Sequence, residues 1–304
     1  MEDNNEIKKY GLVLGGGGAK GAYEMGAIKA LSEMGILDNL SAVAGTSIGA
    51  VNMVLLASRN IERAETVWKN INADDFIEFD GNEFDITRDG DGLLSREGLK
   101  RLLKENGDYE KIKNSEIPQY ITVSNKLPEG KLCVEYIKLN GKDVDIIESY
   151  IMASSAIPIV YDAVSVENGF YCDGGLCDNN PIKPIYDEGI RDIIVISNDQ
   201  TFKVPSSQFS DASISLVSPS SSIFLDALVP TGDFDKNNAV YRFELGYLDA
   251  KLSLPYLLKG EKAPDLTHNR VIAEQKYKQA KLSSNVSGNM SALENMLGRY
   301  GIDL

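Results

Sequence analysis

The chain has 304 residues and a formal net charge of −14, with 31 lysines and arginines against 45 aspartates and glutamates. This acidic balance disfavours nucleic acid as a partner, because phosphate contacts need a basic surface. The single histidine, His268, excludes a zinc site of several histidines, and any serine chemistry must take either that residue or a carboxylate as its base.

Three cysteines, at positions 133, 172 and 177, are too few for a disulfide framework and favour a reducing compartment. Residues 1–9 are polar and lack the apolar core of a signal peptide. No stretch approaches the roughly 18 uninterrupted apolar residues of a transmembrane helix. These features predict a cytoplasmic protein.

An alternation of strands and helices opens the chain. Residues 10–14 form a short apolar run that ends at four consecutive glycines, and residues 19–35 place apolar side chains at helical spacing. The same order recurs, with an apolar run at residues 41–45 and a helical pattern at residues 48–58. This alternation predicts a layered α/β sheet.

The later elements are predicted by the same patterns. Short apolar or alternating runs bounded by turn residues predict strands over residues 119–126, 131–139, 163–166, 169–172 and 191–197. Helical spacing predicts helices over residues 61–103, with a turn-rich interruption at residues 80–92, and over residues 143–156, 235–250 and 269–282. The serine-rich residues 205–222 are predicted to be a loop, and the polar residues 283–291 a connection to a last short helix.

The glycine loop at residues 16–21 (GGGAKG) satisfies G-x-G-x-x-G between a predicted strand and a predicted helix, which is typical of dinucleotide binding. Consecutive glycines also let several N–H groups converge beside a helix start, which suits either a phosphate or the oxyanion of a tetrahedral intermediate. A Walker A loop is excluded, because Gly21 follows Lys20 where serine or threonine is required. A dinucleotide site would need an acidic residue at the end of the second strand, which ends instead in Gly45 and Thr46.

Residues 45–49 (GTSIG) form the pattern G-x-S-x-G between a short predicted strand and an apolar helix. This is the setting of a nucleophile elbow, in which flanking glycines permit a sharp turn and the serine is presented at a helix start. The alternative is an ordinary helix-capping serine at position 47.

Residues 173–175 (DGG) form either a turn or the site of a general base. A serine nucleophile needs a partner that accepts its proton. His268 is predicted to be an exposed polar residue at a helix start, and if it is not the base, a carboxylate remains. Asp173, on a glycine turn after a strand, can reach a serine at a neighbouring strand end.

Together these residues resemble a known family. The blocks at residues 16–21, 45–49 and 173–175 are similar, in this order, to the three signature blocks of the patatin-like phospholipases. The sequence ASSAIP at residues 153–158 resembles the segment before the family's aspartate block, and LGYLDA at residues 245–250 resembles a late helix of bacterial members.

The resemblance implies a three-layer α/β/α fold with a central, mostly parallel sheet. It implies a single domain over residues 1–304, with a motif-bearing core at about 10–251 and a C-terminal helical extension at about 252–304. It also implies a Ser–Asp dyad without metal or cofactor, in which Ser47 is the nucleophile and Asp173 the general base. The N–H groups of Gly16, Gly17 and Gly18 would form the oxyanion hole. The supporting motif positions are Lys20, Gly21, Gly45, Gly49, Gly174 and Gly175.

The implied function is that of a lipid acyl hydrolase, with an acyl-enzyme on Ser47 that water hydrolyses. Its partner would be a lipid acyl ester, met during transient contact with a membrane surface. Residues 251–281 carry seven lysines and arginines against three acidic residues, which is compatible with a membrane-facing lid or with a solvated helix face. Two other functions stay open: dinucleotide binding by residues 16–21, and lipid binding by a patatin-like protein with little turnover.

Overall fold

The computed structural model describes residues 8–72, 96–127, 129–158, 161–223 and 232–298, and the side chains of the last helix up to residue 285. Within these residues eight strands form one mixed sheet. The strands are β1 (Tyr10–Leu14), β2 (Leu40–Thr46), β3 (Gln119–Lys126), β4 (Leu132–Lys138), β5 (Val164–Val166), β6 (Gly169–Asp173), β7 (Asp192–Ile196) and β8 (Ser213–Val217).

The strand order is β5-β6-β3-β2-β1-β7-β8, with β4 also paired to β3. The pairs β1–β2, β1–β7, β2–β3 and β7–β8 are parallel, whereas β3–β4, β3–β6 and β5–β6 are antiparallel. The central strand β1 is buried on both faces, as its uninterrupted apolar sequence requires. The sheet is therefore mostly parallel, as predicted.

Helices cover both faces of the sheet. They are α1 (Gly21–Glu33), α2 (Ile48–Ala57), α3 (Ile61–Lys69), α4 (Glu97–Asn106), α5 (Tyr109–Lys113), α6 (Val144–Ser154), α7 (Ile182–Asp187), α8 (Lys236–Leu257) and α9 (Thr267–Gly298). Leu12 and Leu14 of β1 join a large apolar cluster with α1, α2, α6 and α8. Val13 joins a smaller cluster with α7 on the other face, because successive strand residues point to opposite sides. These three layers confirm the predicted α/β/α fold.

Three predictions about the elements need correction or qualification. The serine-rich stretch predicted to be a loop contains β8, which pairs with β7 in parallel and buries Ser215, so pairing overrides composition. The polar residues 283–291 are not a loose connection, since α9 runs through them. Of the predicted helix over residues 61–103, the structure describes α3 and the start of α4, and its predicted interruption lies outside the described residues.

Helix α8 packs closely on α1 and holds α9. A Cβ added at Gly246 of α8 would lie 1.9 Å from the Tyr23 carbonyl oxygen of α1. Asp249 of α8, which is fully buried, accepts hydrogen bonds from the Tyr23 hydroxyl (3.1 Å), the Ser220 hydroxyl (2.6 Å) and the Asn269 amide (2.8 Å). One carboxyl group thereby joins α1, the segment after β8, and α9.

None of the helices in the described residues is both long enough and apolar enough to cross a bilayer.

Candidate active site

Ser47 occupies a sharp turn between β2 and α2. Its φ of 54° lies in the left-handed region, which costs a residue with a side chain on the order of 1–3 kcal/mol. The flanking glycines make room for this turn: a Cβ at Gly49 would lie 2.3 Å from the Leu14 carbonyl oxygen, and one at Gly45 would lie 2.7 Å from that of Gly49. The turn therefore presents Ser47 in a strained conformation that neighbouring backbone holds in place.

Asp173, the last residue of β6, lies beside Ser47. The Ser47 hydroxyl donates a hydrogen bond to Asp173 Oδ2 at 2.6 Å, and the Gly175 N–H donates to Oδ1 at 2.7 Å. Both Ser47 and Asp173 are only 6% exposed. Burial raises the pKa of Asp173 to about 6, while the hydrogen bonds from Ser47 and Gly175 act in the opposite direction. At neutral pH the carboxylate is thus mostly ionised and able to accept a proton.

The two glycines after Asp173 also leave no space for a side chain. A Cβ at Gly174 would lie 2.2 Å from the Thr122 carbonyl oxygen, and one at Gly175 would lie 2.7 Å from Asn179 Oδ1. This turn therefore packs directly against β3 and against Asn179 in the segment after the turn.

The backbone of the turn at Ser47 is fixed by Ser154, the last residue of α6. The Ser154 hydroxyl accepts a hydrogen bond from the Ser47 N–H at 2.9 Å and donates one to the Thr122 carbonyl at 2.7 Å. Ser154 lies within the ASSAIP segment, but sequence reasoning assigned it no role.

The glycine loop approaches Ser47 from β1. A Cβ at Gly16 would lie 3.3 Å from Ser47 Cβ, so the loop passes close to the Ser47 side chain. The Gly16 N–H donates to the Asn179 carbonyl at 3.0 Å, and the Asn179 amide donates back to the Gly16 carbonyl at 3.3 Å. The N–H groups of Gly17 and Gly18 have no acceptor among the described residues.

Lys20 and Gly21 secure the far end of the loop. The Lys20 N–H donates to the Gly17 carbonyl at 3.2 Å, and the Lys20 side chain lies against Gly17. Burial lowers the pKa of Lys20, while the charge of Asp199 opposes the shift. A Cβ at Gly21 would lie 2.4 Å from Ile48 Cγ1, so the first residue of α1 contacts the first residue of α2.

His268 is exposed at the start of α9, whereas the Ser47 hydroxyl is bonded to Asp173. The structure thus brings together all three predicted sequence blocks. It adds Ser154 and Asn179 as residues that position them. The adjacent asparagines after the DGG block were visible in the sequence, but nothing in it indicated a contact with Gly16.

The fold and this site define an α/β protein with a serine elbow beside a glycine loop. A family model described as patatin-like phospholipase matches residues 12–186, which is more than half of the chain. The protein therefore belongs to the patatin-like phospholipase family, and the resemblance seen in the sequence is confirmed.

Three named proteins are similar to this chain over part of its length. The lysophospholipase NTE1 of Cryptococcus neoformans is 28% identical over 196 residues, which cover 62% of this chain and 11% of that protein. The neuropathy target esterase sws of Drosophila melanogaster is 31% identical over 198 residues, covering 63% of this chain and 13% of the other. The probable lipid hydrolase 463L of Invertebrate iridescent virus 6 is 28% identical over 186 residues, covering 56% of this chain and 61% of the viral protein. The chain thus spans only a small fraction of the first two relatives.

Among solved structures, VipD of Legionella pneumophila superimposes with a TM-score of 0.52 at 15% identity, covering 96% of this chain and 77% of that one. At this identity the likeness shows the fold alone.

Proposed function

We propose that this protein is a lipid acyl hydrolase that works through Ser47 and Asp173. The observation that carries the proposal is the 2.6 Å hydrogen bond from the Ser47 hydroxyl to the buried Asp173 carboxylate, on a strained strand-to-helix turn. Membership of the patatin-like phospholipase family supports a lipid ester as substrate, as do relatives named as lysophospholipases and as an esterase.

In the first half-reaction Ser47 Oγ attacks the acyl carbonyl carbon and its proton passes to Asp173 Oδ2. The carbonyl oxygen becomes an oxyanion. The tetrahedral intermediate collapses, the bond to the lipid alcohol breaks, and the departing oxygen takes the proton from Asp173. In the second half-reaction water attacks the acyl-enzyme, Asp173 accepts its proton, and collapse returns that proton to Ser47 and releases the fatty acid.

We assign the oxyanion hole to the N–H groups of Gly17 and Gly18. The Gly16 N–H already donates to the Asn179 carbonyl, which argues against a direct role for it. Gly18 has a φ of 57°, a conformation suited to glycine that turns the backbone into the short helix before α1. Losing one oxyanion-hole donor typically lowers kcat about 100-fold or more, so the position of these two N–H groups should strongly affect the rate.

The proposal includes transient contact with a membrane surface. Of the basic residues at 251–281, Lys251 pairs with Glu33 at 2.7 Å and Arg270 with Glu274 at 2.6 Å. These ion pairs reduce the net positive field that the segment could offer to anionic lipids. Leu252 and Tyr256, exposed near the end of α8, are the apolar residues that such a contact would use.

Labelling with a fluorophosphonate followed by peptide mapping tests the proposal. We expect labelling at Ser47, loss of labelling and of fatty acid release in Ser47→Ala and Asp173→Asn, and full activity in His268→Ala. Inactivity of His268→Ala with retained activity of Asp173→Asn would assign the base to histidine. A folded wild type that neither labels nor releases fatty acid would favour lipid binding without turnover. Tight binding of a nicotinamide or flavin dinucleotide would favour the other alternative.

A further inference from the structure

A chain of buried polar side chains lies beneath the glycine loop. Glu24 of α1, Asn52 of α2 and Trp68 of α3 are all at most 1% exposed. The Asn52 amide nitrogen donates to Glu24 Oε2 at 2.7 Å, and the Trp68 indole N–H donates to Asn52 Oδ1 at 2.8 Å. Three helices are therefore linked by two side-chain hydrogen bonds within the apolar layer.

This chain connects the glycine loop to the helix that follows Ser47. The Asn52 amide nitrogen also donates to the Gly21 carbonyl at 3.0 Å, at the end of the loop. Asn52 lies on α2, whose first residue directly follows Ser47. The distance between the loop and the Ser47 turn therefore depends on where the Asn52 side chain is held, and Glu24 holds it.

A carboxyl group in this place is costly, since burial without a paired charge disfavours its ionised form. Burial raises the pKa of Glu24 well above its ordinary value, and the hydrogen bond from Asn52 opposes this only in part. The neutral carboxyl is thus favoured. A neutral carboxyl can hold Asn52 without placing a negative charge near the glycine loop, where it would oppose binding of an oxyanion.

We propose that Glu24 is a positioning residue that fixes the glycine loop relative to Ser47 through Asn52. This inference rests on the proposed function, because it assigns Glu24 an effect on the oxyanion loop. Glu24 touches no reacting atom in this account. Its effect is to keep the Gly17 and Gly18 N–H groups at the position where the oxyanion forms.

Two substitutions of similar size separate this role from simple packing. Glu24→Gln reproduces the neutral carboxyl, with a carbonyl oxygen for Asn52. Glu24→Met fills the same space without an acceptor. We expect kcat on a soluble short-chain ester to stay within about twofold in Glu24→Gln and to fall roughly tenfold to 100-fold in Glu24→Met, with KM little changed.

Tyr23→Phe is the matched control. Tyr23 is adjacent to Glu24 on α1 and is also fully buried. The substitution removes one hydrogen bond, from the Tyr23 hydroxyl to Asp249 of α8. We expect it to lower the unfolding temperature while leaving kcat unchanged. Equal kcat in Glu24→Gln and Glu24→Met, or a loss in Tyr23→Phe as large as that in Glu24→Met, would overturn the proposal.

Hydrogen exchange of the peptide covering residues 15–21 gives a readout that does not depend on hydrolysis. We expect faster exchange in Glu24→Met than in wild type, Glu24→Gln or Tyr23→Phe. A wild type without hydrolysis would overturn the proposed function and leave this comparison intact. Unchanged exchange in Glu24→Met would overturn the positioning role alone.

Discussion

Thr46 and Asp173, the last residues of β2 and β6, pair with consecutive residues of β3, Thr46 with Thr122 and Asp173 with Val123. Strand β4 pairs with β3 through both positions, so β2 and β6 must share the opposite edge of β3. Their carboxyl ends therefore meet end to end. Ser47 follows Thr46 directly, which brings its hydroxyl to Asp173.

Strand pairing therefore sets the separation of the two side chains that carry the proposed chemistry. Sites supported by regular elements hold their geometry better than sites built on loops. The Ser154 and Thr122 hydrogen bonds add to this by fixing the backbone at the point where β2 ends.

The first prediction concerns the pH dependence of activity. Burial raises the pKa of Asp173 to about 6, and the proposed base must be ionised to accept a proton. We expect kcat/KM for a soluble ester to rise with pH through a limb near 6 and to level off above it. A limb near the ordinary aspartate pKa of about 4 would contradict the assignment.

The same shift predicts an effect of pH on stability. Because the pKa of Asp173 is higher in the folded than in the unfolded protein, its stabilising contribution is present at low pH and is lost as pH rises from 3.8 through about 6. We expect wild type to lose about 3 kcal/mol relative to Asp173→Asn over this window. Denaturant unfolding of both proteins at several pH values measures the difference, and parallel curves would contradict it.

Ser154→Ala is predicted to weaken both the fold and the activity. It leaves the buried Ser47 N–H without its acceptor, at a cost of about 1–3 kcal/mol, and allows the strained turn to relax. We expect kcat to fall about tenfold or more, since small displacements of a nucleophile are costly. The hydroxyl of the neighbouring Ser155 donates to the carbonyls of Ile151 and Met152 in α6, away from the Ser47 turn, so Ser155→Ala serves as the control with near-normal kcat. Equal kcat in the two variants would contradict the role of Ser154.

Much of the fold could be predicted from the sequence, because its apolar runs coincide with strands that are buried in the structure. The run at residues 10–14 became β1, and the isoleucine-rich run of residues 193–196 lies in β7, both at the centre of the sheet. Strand β8 was missed because Ser213 and Ser215 suit a loop when only local sequence is considered. Its pairing with β7 is a long-range contact that no local pattern encodes.

The site also contains residues that could be predicted from the sequence and residues that could not. Ser47 and the glycine loop lie in motifs whose spacing has a steric reason, so their elements could be predicted. Ser154 and Glu24 contact their partners across 107 and 28 positions of sequence, and no motif marks those contacts. Such supporting residues become visible only once the packing of α1, α2 and α6 is known.

Gly49→Ala is predicted to prevent normal folding. Its methyl group would lie 2.3 Å from the Leu14 carbonyl oxygen, a backbone atom that cannot move without shifting β1. We expect the free energy of unfolding to fall by on the order of 4 kcal/mol or more, seen as insoluble protein or a greatly lowered unfolding temperature. At Gly35 φ is 69°, but no other atom of the described residues, chain neighbours and nearby helix backbone aside, would lie within 4 Å of an added Cβ. Gly35→Ala should therefore cost only about 1–2 kcal/mol of unfolding free energy and retain activity. A loss in Gly49→Ala no larger than that in Gly35→Ala would contradict this, because it would show that β1 moves away from the added methyl group at little cost.

Asn269→Leu is predicted to loosen α9 without affecting the chemistry. It removes the 2.8 Å hydrogen bond to the buried Asp249 carboxyl and leaves that group with fewer donors, which costs about 1–3 kcal/mol. Since Asp249 still accepts from Tyr23 and Ser220, we expect α1 and the glycine loop to stay in place. Hydrogen exchange should therefore rise in α9 and stay unchanged over residues 15–21, with kcat equal to wild type. A fall in kcat together with faster exchange in the glycine loop would mean that α9 supports the site through α1, so that docking of the last helix and catalysis are coupled.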